Sequence, residues 1–557
     1  MVRPGHFRLL ASLGAAVTLI LSSGANAAVI SPRAQSAASA GAPVWVFLKD
    51  KGPSVTTAGL VEQEWISERA ASRIASRGAA YNPTLDQPIF IDYLDALTSA
   101  GLTIRTESRW LNAVSGIVPS DRMDALAAYG FVDSIRPVAI YHRAIDTPLP
   151  SYLPPAGYGL TKPTTFDYGN SAAQIEAIEA DLLHNRGLDG QGIRIGFLDT
   201  GYSLHLNVFD SLKVIGTRDF INGDTDVGDE DSVQMDHGTS TLSVCGGYLP
   251  GELIGVAPRA EYALAKTEVM GTETRIEEDY WVAGLWWIDS LGCDIVSSSL
   301  GYNNWYTRAD LDGHTATTTK AAELAVARGL LVVNAAGNEG FDGLVAPADG
   351  DSVLTIGASD LQGAVADFSS RGPTADNRIK PDVVAPGVGV WTALTRPGAF
   401  LGRSGTSFAT PLVAGVCALL LQEKPSLSPT QVIDVLRATA TNASHPNNDV
   451  GWGMLRADHA FAALPSGHEA SGIEVWPNPA SDSVWIGTPD AATNAPSHFD
   501  VFTTAGDPVY SGEFWGKSSL WLATNESNHP VASGIYLVWV RTPVREGLVK
   551  LALIRRR

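Results

Sequence analysis

Three short stretches of the sequence place a reactive side chain beside glycine. Asp199 lies in the motif FLDTG, His237 in DHGTS and Ser407 in SGTSFATP. A serine hydroxyl is a poor nucleophile unless an adjacent base takes its proton, and that base needs an acid to orient it. The three residue types together therefore predict nucleophilic catalysis by serine.

The order of the three motifs along the chain is more specific than any one of them. A DTG stretch alone is often a turn, HGT alone can cap a helix, and GTS is common in loops. The order acid, base and serine, with separations of 38 and 170 residues, matches one of the known triad arrangements. A lipase-like elbow would need Gly-x-Ser-x-Gly, and Ala409 occupies the position of its second glycine.

The elements that must bring these residues together alternate between about residues 171 and 465. Runs such as IRIGFLDTG and LLVVNAAGN read as strands, whereas RIEEDYWVAGLWWIDSLG and TATTTKAAELAVARG read as helices. This alternation predicts the α/β class, with a parallel sheet covered by helices on both faces. Because the carboxyl ends of parallel strands meet at one edge, remote residues can converge there. Ser407 opens a helix, which offers a backbone N–H to a developing oxyanion.

Residues 171–465 resemble the subtilisin family of serine peptidases, the S8 family. The resemblance rests on five ordered motifs: FLDTG, DHGTS, SSSLGY, NAAGNEG and SGTSFATPLVAG. It implies an endopeptidase in which Asp199 orients the imidazole of His237. His237 would act as general base and then as general acid, while Ser407 attacks the scissile carbonyl.

The same resemblance assigns residues around the triad. Asn338 would donate its side-chain amide to the tetrahedral oxyanion, beside the backbone N–H of the serine. The segment made of Ser299, Leu300 and Gly301 would pair with an extended substrate backbone and line the first specificity pocket.

The chain ahead of this segment divides into three predicted parts. Residues 1–27 combine two arginines, a mainly apolar run of thirteen residues and the small-residue site ANA. This is typical of a secretory signal peptide, and the run is too short for a membrane helix of about 20 residues. Residues 28–142 begin with a small-residue leader, then read as βαββαβ and resemble the inhibitory propeptide of the S8 family. Residues 143–170 form a Pro-rich connector with the predicted processing site.

The resemblance to a propeptide implies a role in folding and inhibition. Residues 28–142 would act as a folding template for the peptidase and then as a product-like inhibitor of it. A stable accessory domain is the alternative, and the signal peptide together with the connector favours removal.

Residues 466–557 change to short alternating strands separated by turn residues, which predicts a small all-β sandwich. The stretches WPNPA, TAGD, ASGIY and KLALIR resemble the C-terminal sorting domain of the type IX secretion system. That resemblance implies outer-membrane export, a secreted or cell-surface location and the secretion machinery as a partner. A carbohydrate- or partner-binding module is the alternative.

Charge and cysteine content exclude several classes. Lys and Arg number 39 against 59 Asp and Glu, a net charge of −20 that disfavours a nucleic-acid partner. Cys245, Cys293 and Cys417 show no CxxC spacing, so we expect buried thiols rather than disulfides or zinc ligands. Catalysis is expected to need no cofactor or metal. The acidic loop Asn222–Asp236 could hold a structural calcium ion, but its lack of EF-hand spacing favours solvated charge.

The leading hypothesis is a secreted serine endopeptidase, made as a self-processed zymogen, that acts on proteins or peptides. One alternative is a catalytically silent relative that only binds peptides, and another is an adhesion protein that works through the C-terminal sandwich. The joint presence of Asp199, His237, Asn338 and Ser407 argues against the silent relative, which has no chemical need for all four. The bulky pair Trp286-Trp287 departs from shorter family members and leaves the substrate preference open.

Overall fold

The computed structural model describes residues 28–52, 65–79, 82–138, 165–269, 278–303, 306–464 and 473–555, the last range with gaps at 477, 479, 482, 489–495, 505, 517 and 544–545. The predicted signal peptide, residues 1–27, lies outside the described residues. So do residues 139–164, which include most of the predicted connector with its processing site.

The N-terminal unit is one five-stranded sheet packed against helices. Its elements are β1 (Val29–Ile30), α1 (Pro32–Ser39), β2 (Val44–Leu48), α2 (Glu68–Ser76), α3 (Pro83–Asp86), α4 (Ile91–Ser99), β3 (Thr103–Ser108), β4 (Ala113–Ile117), α5 (Met123–Ala127) and β5 (Val132–Pro137). The strands lie in the order β1-β5-β2-β4-β3. The predicted βαββαβ order is present as β2, α4, β3, β4, α5 and β5, with α2 and α3 between β2 and α4.

The small-residue leader forms β1 and α1, two elements that the sequence pattern did not predict. Ser31 caps α1 by accepting a hydrogen bond from the Ala34 N–H, and Pro32 occupies the first helical position, where its missing N–H costs nothing. Ala34 and Ala37 are fully buried. Small side chains therefore let this helix pack closely on the sheet, a property that periodicity of large apolar residues does not reveal.

The central unit is a seven-stranded parallel sheet with helices on both faces. Its elements are α6 (Ala172–Ala177), α7 (Ala180–His184), β6 (Arg194–Asp199), β7 (Lys213–Asp219), α8 (Ser232–Gly246), β8 (Tyr248–Leu249), β9 (Leu253–Ile254), β10 (Glu261–Lys266), α9 (Glu278–Ser290), β11 (Ile295–Ser298), α10 (Thr317–Ala327), β12 (Leu331–Ala335), β13 (Leu354–Ser359), β14 (Val383–Pro386), β15 (Val390–Ala393), β16 (Phe400–Arg403), α11 (Thr406–Glu423), α12 (Pro429–Thr439) and α13 (Ala457–Ala462). The sheet order is β14-β13-β12-β11-β6-β10-β7, and every neighbouring pair is parallel.

Two apolar cores lie on opposite faces of this sheet. Alternate strand residues such as Ile195 and Leu331 pack with α8 and α11, whereas Val296 and Val332 pack with α9 and α10. Strands buried on both faces explain the continuous β-branched runs of the sequence. The predicted parallel sheet with two covered faces is therefore confirmed.

The three cysteines lie within the interior. Cys245, Cys293 and Cys417 are buried and free. They act as small apolar side chains, as their spacing predicted.

Helix α11 is the central helix of one core. Among the described residues, α11 is the one helix whose length and apolar composition would allow it to cross a membrane. However, 89% of it is buried inside the protein. Burial of this kind is what a core helix of an α/β sheet requires. The nucleophile predicted from sequence thus stands at the start of a helix that is almost entirely buried.

The C-terminal region is all-β. Its strands are β17 (Glu474–Trp476), β18 (Val484–Gly487), β19 (Ser497–Thr503), β20 (Pro508–Phe514), β21 (Ser518–Trp521), β22 (Gly534–Arg541) and β23 (Glu546–Leu553). They form two sheets, β17-β18-β21 and β20-β19-β22-β23. Buried Tyr536, Val538 and Val540 alternate with more exposed residues along β22, as expected for a strand with one face in a core. The region agrees with the predicted all-β sandwich.

Gly196, in the middle of β6, lets helix α9 lie directly against the strand. A Cβ atom at this position would lie 2.3 Å from Cγ2 of Ile288 on α9. We expect Gly196→Ala to lower the free energy of unfolding by roughly 1–3 kcal/mol, because overpacking forces one element to move. Urea denaturation of the full chain measures this loss.

Ile288→Ala provides the matched control for this steric account. Alone it leaves a cavity and costs about 2–5 kcal/mol, but it also removes the side-chain atoms that a new Cβ would meet. The double variant should therefore lose less stability than the sum of the two single variants. A loss of stability in the double variant that equals or exceeds the sum of the two single losses would contradict the steric account.

Candidate active site

The predicted site residues lie at the carboxyl edge of the parallel sheet. Asp199 ends β6, Ser299 directly follows β11, and Asn338 comes shortly after β12. Helix α8 carries His237, and the first turn of α11 carries Ser407. Chain topology alone therefore directs five remote residues to one edge of the sheet.

A buried hydrogen bond joins the predicted acid to the predicted base. His237 Nδ1 lies 2.6 Å from Asp199 Oδ1, and the two side chains are 2% and 0% exposed. Asp199 also accepts the Thr200 N–H at 2.8 Å and the Thr241 hydroxyl at 2.9 Å. Burial would raise the pKa of Asp199, but the imidazole of His237 and these hydrogen bonds hold it below its ordinary value. The ionised carboxylate accepts a hydrogen bond from Nδ1–H, which leaves Nε2 as the nitrogen with a free lone pair.

The glycine that follows His237 permits this contact. A Cβ atom at Gly238 would lie 2.3 Å from the backbone oxygen of Gly201 and 3.2 Å from Cβ of Asp199. Helix α8 therefore packs directly on the loop that follows β6. This close approach brings the imidazole within hydrogen-bonding distance of the carboxylate.

The hydroxyl of Ser407 does not hydrogen-bond to His237 in the described conformation. It donates to the backbone oxygen of Ser299 at 3.3 Å, and His237 Nε2 is buried with no hydrogen-bond partner among the described residues. The ring of Phe408, the residue after Ser407, lies 5.8 Å from the imidazole centroid. In the structure, the acid and the base of the predicted triad are hydrogen-bonded to each other. Residues 404–407, which we call the serine loop, lie beside them. Hydrogen bonds of this kind often tighten only when substrate binds.

The amide of Asn338 is oriented by two hydrogen bonds from one residue. Its Oδ1 accepts both the backbone N–H and the hydroxyl of Thr406, each at 3.0 Å. A backbone N–H can only donate, so the atom that receives it is the oxygen and Nδ2 is the group on the other side. A Cβ atom at Gly405 would lie 3.6 Å from this Nδ2. The amide N–H groups therefore face the turn that carries Ser407.

The predicted substrate-binding segment is held against the serine loop. Ser299 Oγ donates to the backbone oxygen of Ser407 at 2.8 Å, and the backbone oxygen of Leu300 accepts from Asn334 Nδ2 at 3.0 Å. A Cβ atom at Gly301 would lie 2.1 Å from Cγ2 of Val345. The segment is thus fixed on both sides and stands next to the predicted nucleophile.

Sequence reasoning missed residues that act through the predicted ones. Thr241 and Thr406 orient the carboxylate of Asp199 and the amide of Asn338, as described above. Arg403, the last residue of β16, forms an ion pair with Asp236, the residue before the base. This pair ties the serine loop to helix α8. Asp236 is the first residue of the quoted motif DHGTS, and Arg403 directly precedes SGTSFATP, but nothing local shows that the two meet.

Trp286 lies under the N-terminal unit rather than beside the predicted substrate segment. Its indole N–H donates to Asp86 Oδ1 at 3.3 Å, and the guanidinium of Arg109 lies 4.5 Å from its ring centroid. Trp287 packs against Phe220, with ring centroids 6.3 Å apart. The bulk of this pair serves packing and contact with the N-terminal unit.

The acidic loop is bonded largely to itself. Asp224, Asp226 and Asp229 each accept a backbone N–H from two residues later. Lys266 lies 2.8 Å from Asp229 and 3.2 Å from Asp219. In the described part of the chain, no group of three or more His, Cys, Asp or Glu side chains is arranged to hold a metal ion. The loop is thus held together by donors from the chain itself, and a structural calcium ion stays an alternative.

Comparison with known proteins identifies the family. The subtilase (peptidase S8) model matches residues 190–453, and that of the Bacteroidota peptidase S8 propeptide domain matches residues 43–147. Subtilisin BL of Lederbergia lenta is 34% identical over 290 residues, which are 51% of this chain and 97% of that protein. The chain belongs to the subtilase family. This subtilase is also 33% identical over 290 residues to subtilisin Savinase of Lederbergia lenta, covering 51% and 97% of the two chains. It is 34% identical over 290 residues to M-protease of Shouchella clausii (strain KSM-K16), covering 51% and 68%.

The family gives the protein its reaction class. It is a serine endopeptidase, a hydrolase of peptide bonds, and it carries a propeptide domain ahead of the peptidase. The subtilase match spans Asp199, His237, Asn338 and Ser407. Membership of a peptidase family argues against the catalytically silent alternative.

The hydroxyl of Thr406 offers a test of how the subtilase orients Asn338. We expect Thr406→Val to lower kcat roughly tenfold with little change in KM. The reason is that a mispositioned oxyanion donor costs less than a deleted one, and deletion costs about 10² to 10³ in kcat. Steady-state kinetics on a chromogenic peptide measure the effect.

Thr410→Val is the matched control. Thr410 lies one turn further along α11, and its hydroxyl donates to the backbone oxygen of Thr406 at 2.9 Å rather than to the amide of Asn338. It should leave kcat within about twofold of the parent. Equal losses in both variants would show that general disturbance of α11, and not the orientation of Asn338, is responsible.

Proposed function

We propose that this subtilase cleaves peptide bonds with a triad of Asp199, His237 and Ser407. The observation that carries the proposal is the buried 2.6 Å hydrogen bond between His237 Nδ1 and Asp199 Oδ1. It orients an imidazole whose Nε2 has no hydrogen-bond partner among the described residues. His237 is thus an oriented base that lies beside the start of α11, where Ser407 stands. A base in this position can activate a serine hydroxyl.

The acylation step uses the groups of this edge. Ser407 Oγ rotates from the backbone oxygen of Ser299 toward His237 Nε2, gives up its proton there and attacks the substrate carbonyl carbon. Asn338 Nδ2 and the Ser407 N–H donate to the oxyanion that forms. The protonated imidazole then gives its proton to the departing amine, and the acyl group stays on the serine as an ester.

Deacylation repeats the sequence with water. His237 takes a proton from water, the hydroxide attacks the ester carbonyl, and the proton returns to Ser407 as the new carboxyl group leaves. Asp199 stays ionised throughout and stabilises the imidazolium that forms twice. Its lowered pKa supports this role, since the carboxylate keeps its charge while it is buried.

We also propose that Ser299, Leu300 and Gly301 bind the substrate backbone. Support comes from their position directly after β11 and from the hydrogen bonds that fix them against Ser407. Main-chain pairing binds many sequences, so side-chain preference would come from the walls beside this segment. Proteins and peptides in extended conformation are therefore the proposed substrates.

The propeptide is proposed to inhibit the peptidase until the connector is cut within residues 143–170. Its sheet lies on helix α9, the helix before β11. Trp45 donates to Glu278 at 3.1 Å, and Ser115 hydrogen-bonds to Asp279. The described part of the propeptide thus contacts α9 directly, which supports its proposed role as a folding template.

Self-processing tests the nucleophile. Purified precursor is expected to cut its own connector, and Ser407→Ala should remain intact because alanine has no hydroxyl with which to form the ester. Intact-mass spectrometry over time measures the conversion. Ser404→Ala, three residues earlier in the same loop, is the control and should process normally. Maturation of the Ser407→Ala chain without another protease would overturn the assignment.

Export is proposed to use both ends of the chain. Residues 1–27 would direct secretion, and residues 466–557 would act as a type IX sorting domain. The match to a propeptide domain of Bacteroidota supports this proposal, as do the sandwich and the motifs that it contains. The enzyme would then act in the medium or on the cell surface.

Deleting residues 546–557 tests the sorting proposal. It removes β23, an edge strand of its sheet, and leaves the peptidase unit untouched. In a bacterium with type IX machinery, we expect peptidase activity to fall at least tenfold in the medium and to persist in cell extracts. The full-length Ser407→Ala chain, detected by antibody, should still be exported. Undiminished export of the truncated chain, with lost binding to glycans, would favour the adhesion alternative.

A further inference from the structure

Helix α2 of the propeptide carries three arginines on one face. Arg69 and Arg73 lie in the helix and Arg77 caps its end. A spacing of four residues places all three on the same side of a helix. We call this set, Arg69, Arg73 and Arg77, the arginine anchor.

Arg73 and Arg77 are the buried members of the anchor. Arg73 donates to the backbone oxygen of Cys293 and pairs with Asp289. Arg77 donates to the backbone oxygen of Gly329 at 2.6 Å and to Asp294 Oδ1 at 2.9 Å. The two arginines are only 4% and 6% exposed.

Arg69 and the helix start complete the contact. Arg69 donates to Asp294 Oδ2 at 2.8 Å and to the backbone oxygen of Gly192 at 2.7 Å. The Ser67 N–H donates to the backbone oxygen of Ser290 at 2.9 Å. Every acceptor in these contacts belongs to the peptidase unit.

The anchor contacts the amino ends of the parallel strands. Gly192, Asp294 and Gly329 directly or closely precede β6, β11 and β12, whereas the active-site residues follow the same strands. Strands of four to six residues separate these two edges by roughly 13–20 Å. The anchor therefore lies at the opposite end of the sheet from the cleft.

The acceptor surface is bonded within the peptidase itself. Asp289 also pairs with Arg328 at 2.8 Å, and Asp294 Oδ2 accepts the Arg194 N–H at 3.0 Å. Both carboxylates thus keep a partner from their own unit when the propeptide leaves. A surface held in this way stays formed in the mature enzyme.

Burial makes the arginine contacts specific. Burial lowers the pKa of Arg77 to about 10, so its guanidinium is still charged at neutral pH. A buried charge is stable only where several acceptors surround it. Arg77 finds them in the carboxylate of Asp294 and in three backbone oxygens of the peptidase, those of Asp294, Gly329 and Pro425. The planar, fork-shaped set of donors on a guanidinium matches this arrangement of acceptors, whereas the ammonium group of a lysine does not.

We propose that the arginine anchor is a second binding site for the propeptide, independent of the active-site cleft. Its receptor on the peptidase consists of Asp289, Asp294 and the backbone oxygens of Gly192, Cys293 and Gly329. The partner that this receptor fits is a helix with arginines at every fourth position. These contacts hold the propeptide on the peptidase without the help of any residue in the cleft. This inference rests on the proposed function only in that residues 28–142 are separated from the peptidase by cleavage.

The test uses the full chain with Ser407→Ala and with residues 139–144 replaced by the recognition sequence of an unrelated site-specific protease. That protease separates the propeptide from the connector without help from the triad. Size-exclusion chromatography over a dilution series then gives the Kd of the cut propeptide. We expect the propeptide to co-elute with the peptidase, and Arg73→Gln with Arg77→Gln to raise Kd roughly 100-fold or more, since both leave buried contacts unpaired.

Arg33→Gln is the matched control. Arg33 also joins the propeptide to the peptidase, through Asp310 at 3.2 Å, but its side chain is 48% exposed. Exposed pairs contribute little, so Kd should rise no more than about fivefold. A similar rise in the control and the double variant would remove the distinction on which the anchor depends.

A conservative variant covers the case in which the glutamine variant does not fold. Arg73→Lys with Arg77→Lys keeps both charges and loses the fork, and we expect it to raise Kd roughly tenfold. A Kd equal to that of the parent in this variant, or dissociation of the parent propeptide upon cutting, would overturn the proposal. Because an added protease makes the cut, failure of the proposed triad would leave this result unchanged.

Discussion

The carboxylate of Asp199 is the group on which the site depends, because a fully buried charge must find its partners locally. It finds three: the imidazole of His237, the Thr200 N–H and the Thr241 hydroxyl. Those partners belong to the end of β6 and to helix α8, so the carboxylate can stay ionised only if α8 lies directly on the loop after β6. The absence of a side chain at Gly238 allows that approach. The ionised state of Asp199 and the close packing of α8 on the sheet therefore depend on each other.

The two edges of the parallel sheet serve different purposes. The carboxyl ends of the strands carry the proposed acid, the proposed oxyanion donor and the proposed substrate segment, whereas residues that precede the strands contact the propeptide helix α2. Helix α9 connects the two, since the propeptide touches Glu278 at its start and Asp289 near its end. The propeptide therefore contacts both ends of α9, the helix that leads directly to β11 and Ser299. Such a contact can assist the folding of the site without filling it.

Much of this arrangement could be predicted from sequence, and the missing part has a common cause. Asp199, His237, Asn338 and Ser407 stand in motifs whose glycines mark strand and helix ends, and the alternation of strands and helices predicted the parallel sheet. The roles of Thr241 and Thr406 depend on how α8 and α11 dock, which no local pattern encodes. Helix α1 was missed because its packing relies on alanine. The contacts of α2 and Trp286 required the docked propeptide.

The central claim is that Ser407 is the nucleophile and that His237, oriented by Asp199, is its base. Reaction of the mature enzyme with a phosphonylating serine reagent, followed by peptide mass mapping, tests it most directly. The account predicts one adduct per chain, on Ser407, formed in proportion to the loss of peptidase activity. An adduct on another residue, or full activity in enzyme labelled at Ser407, would contradict it.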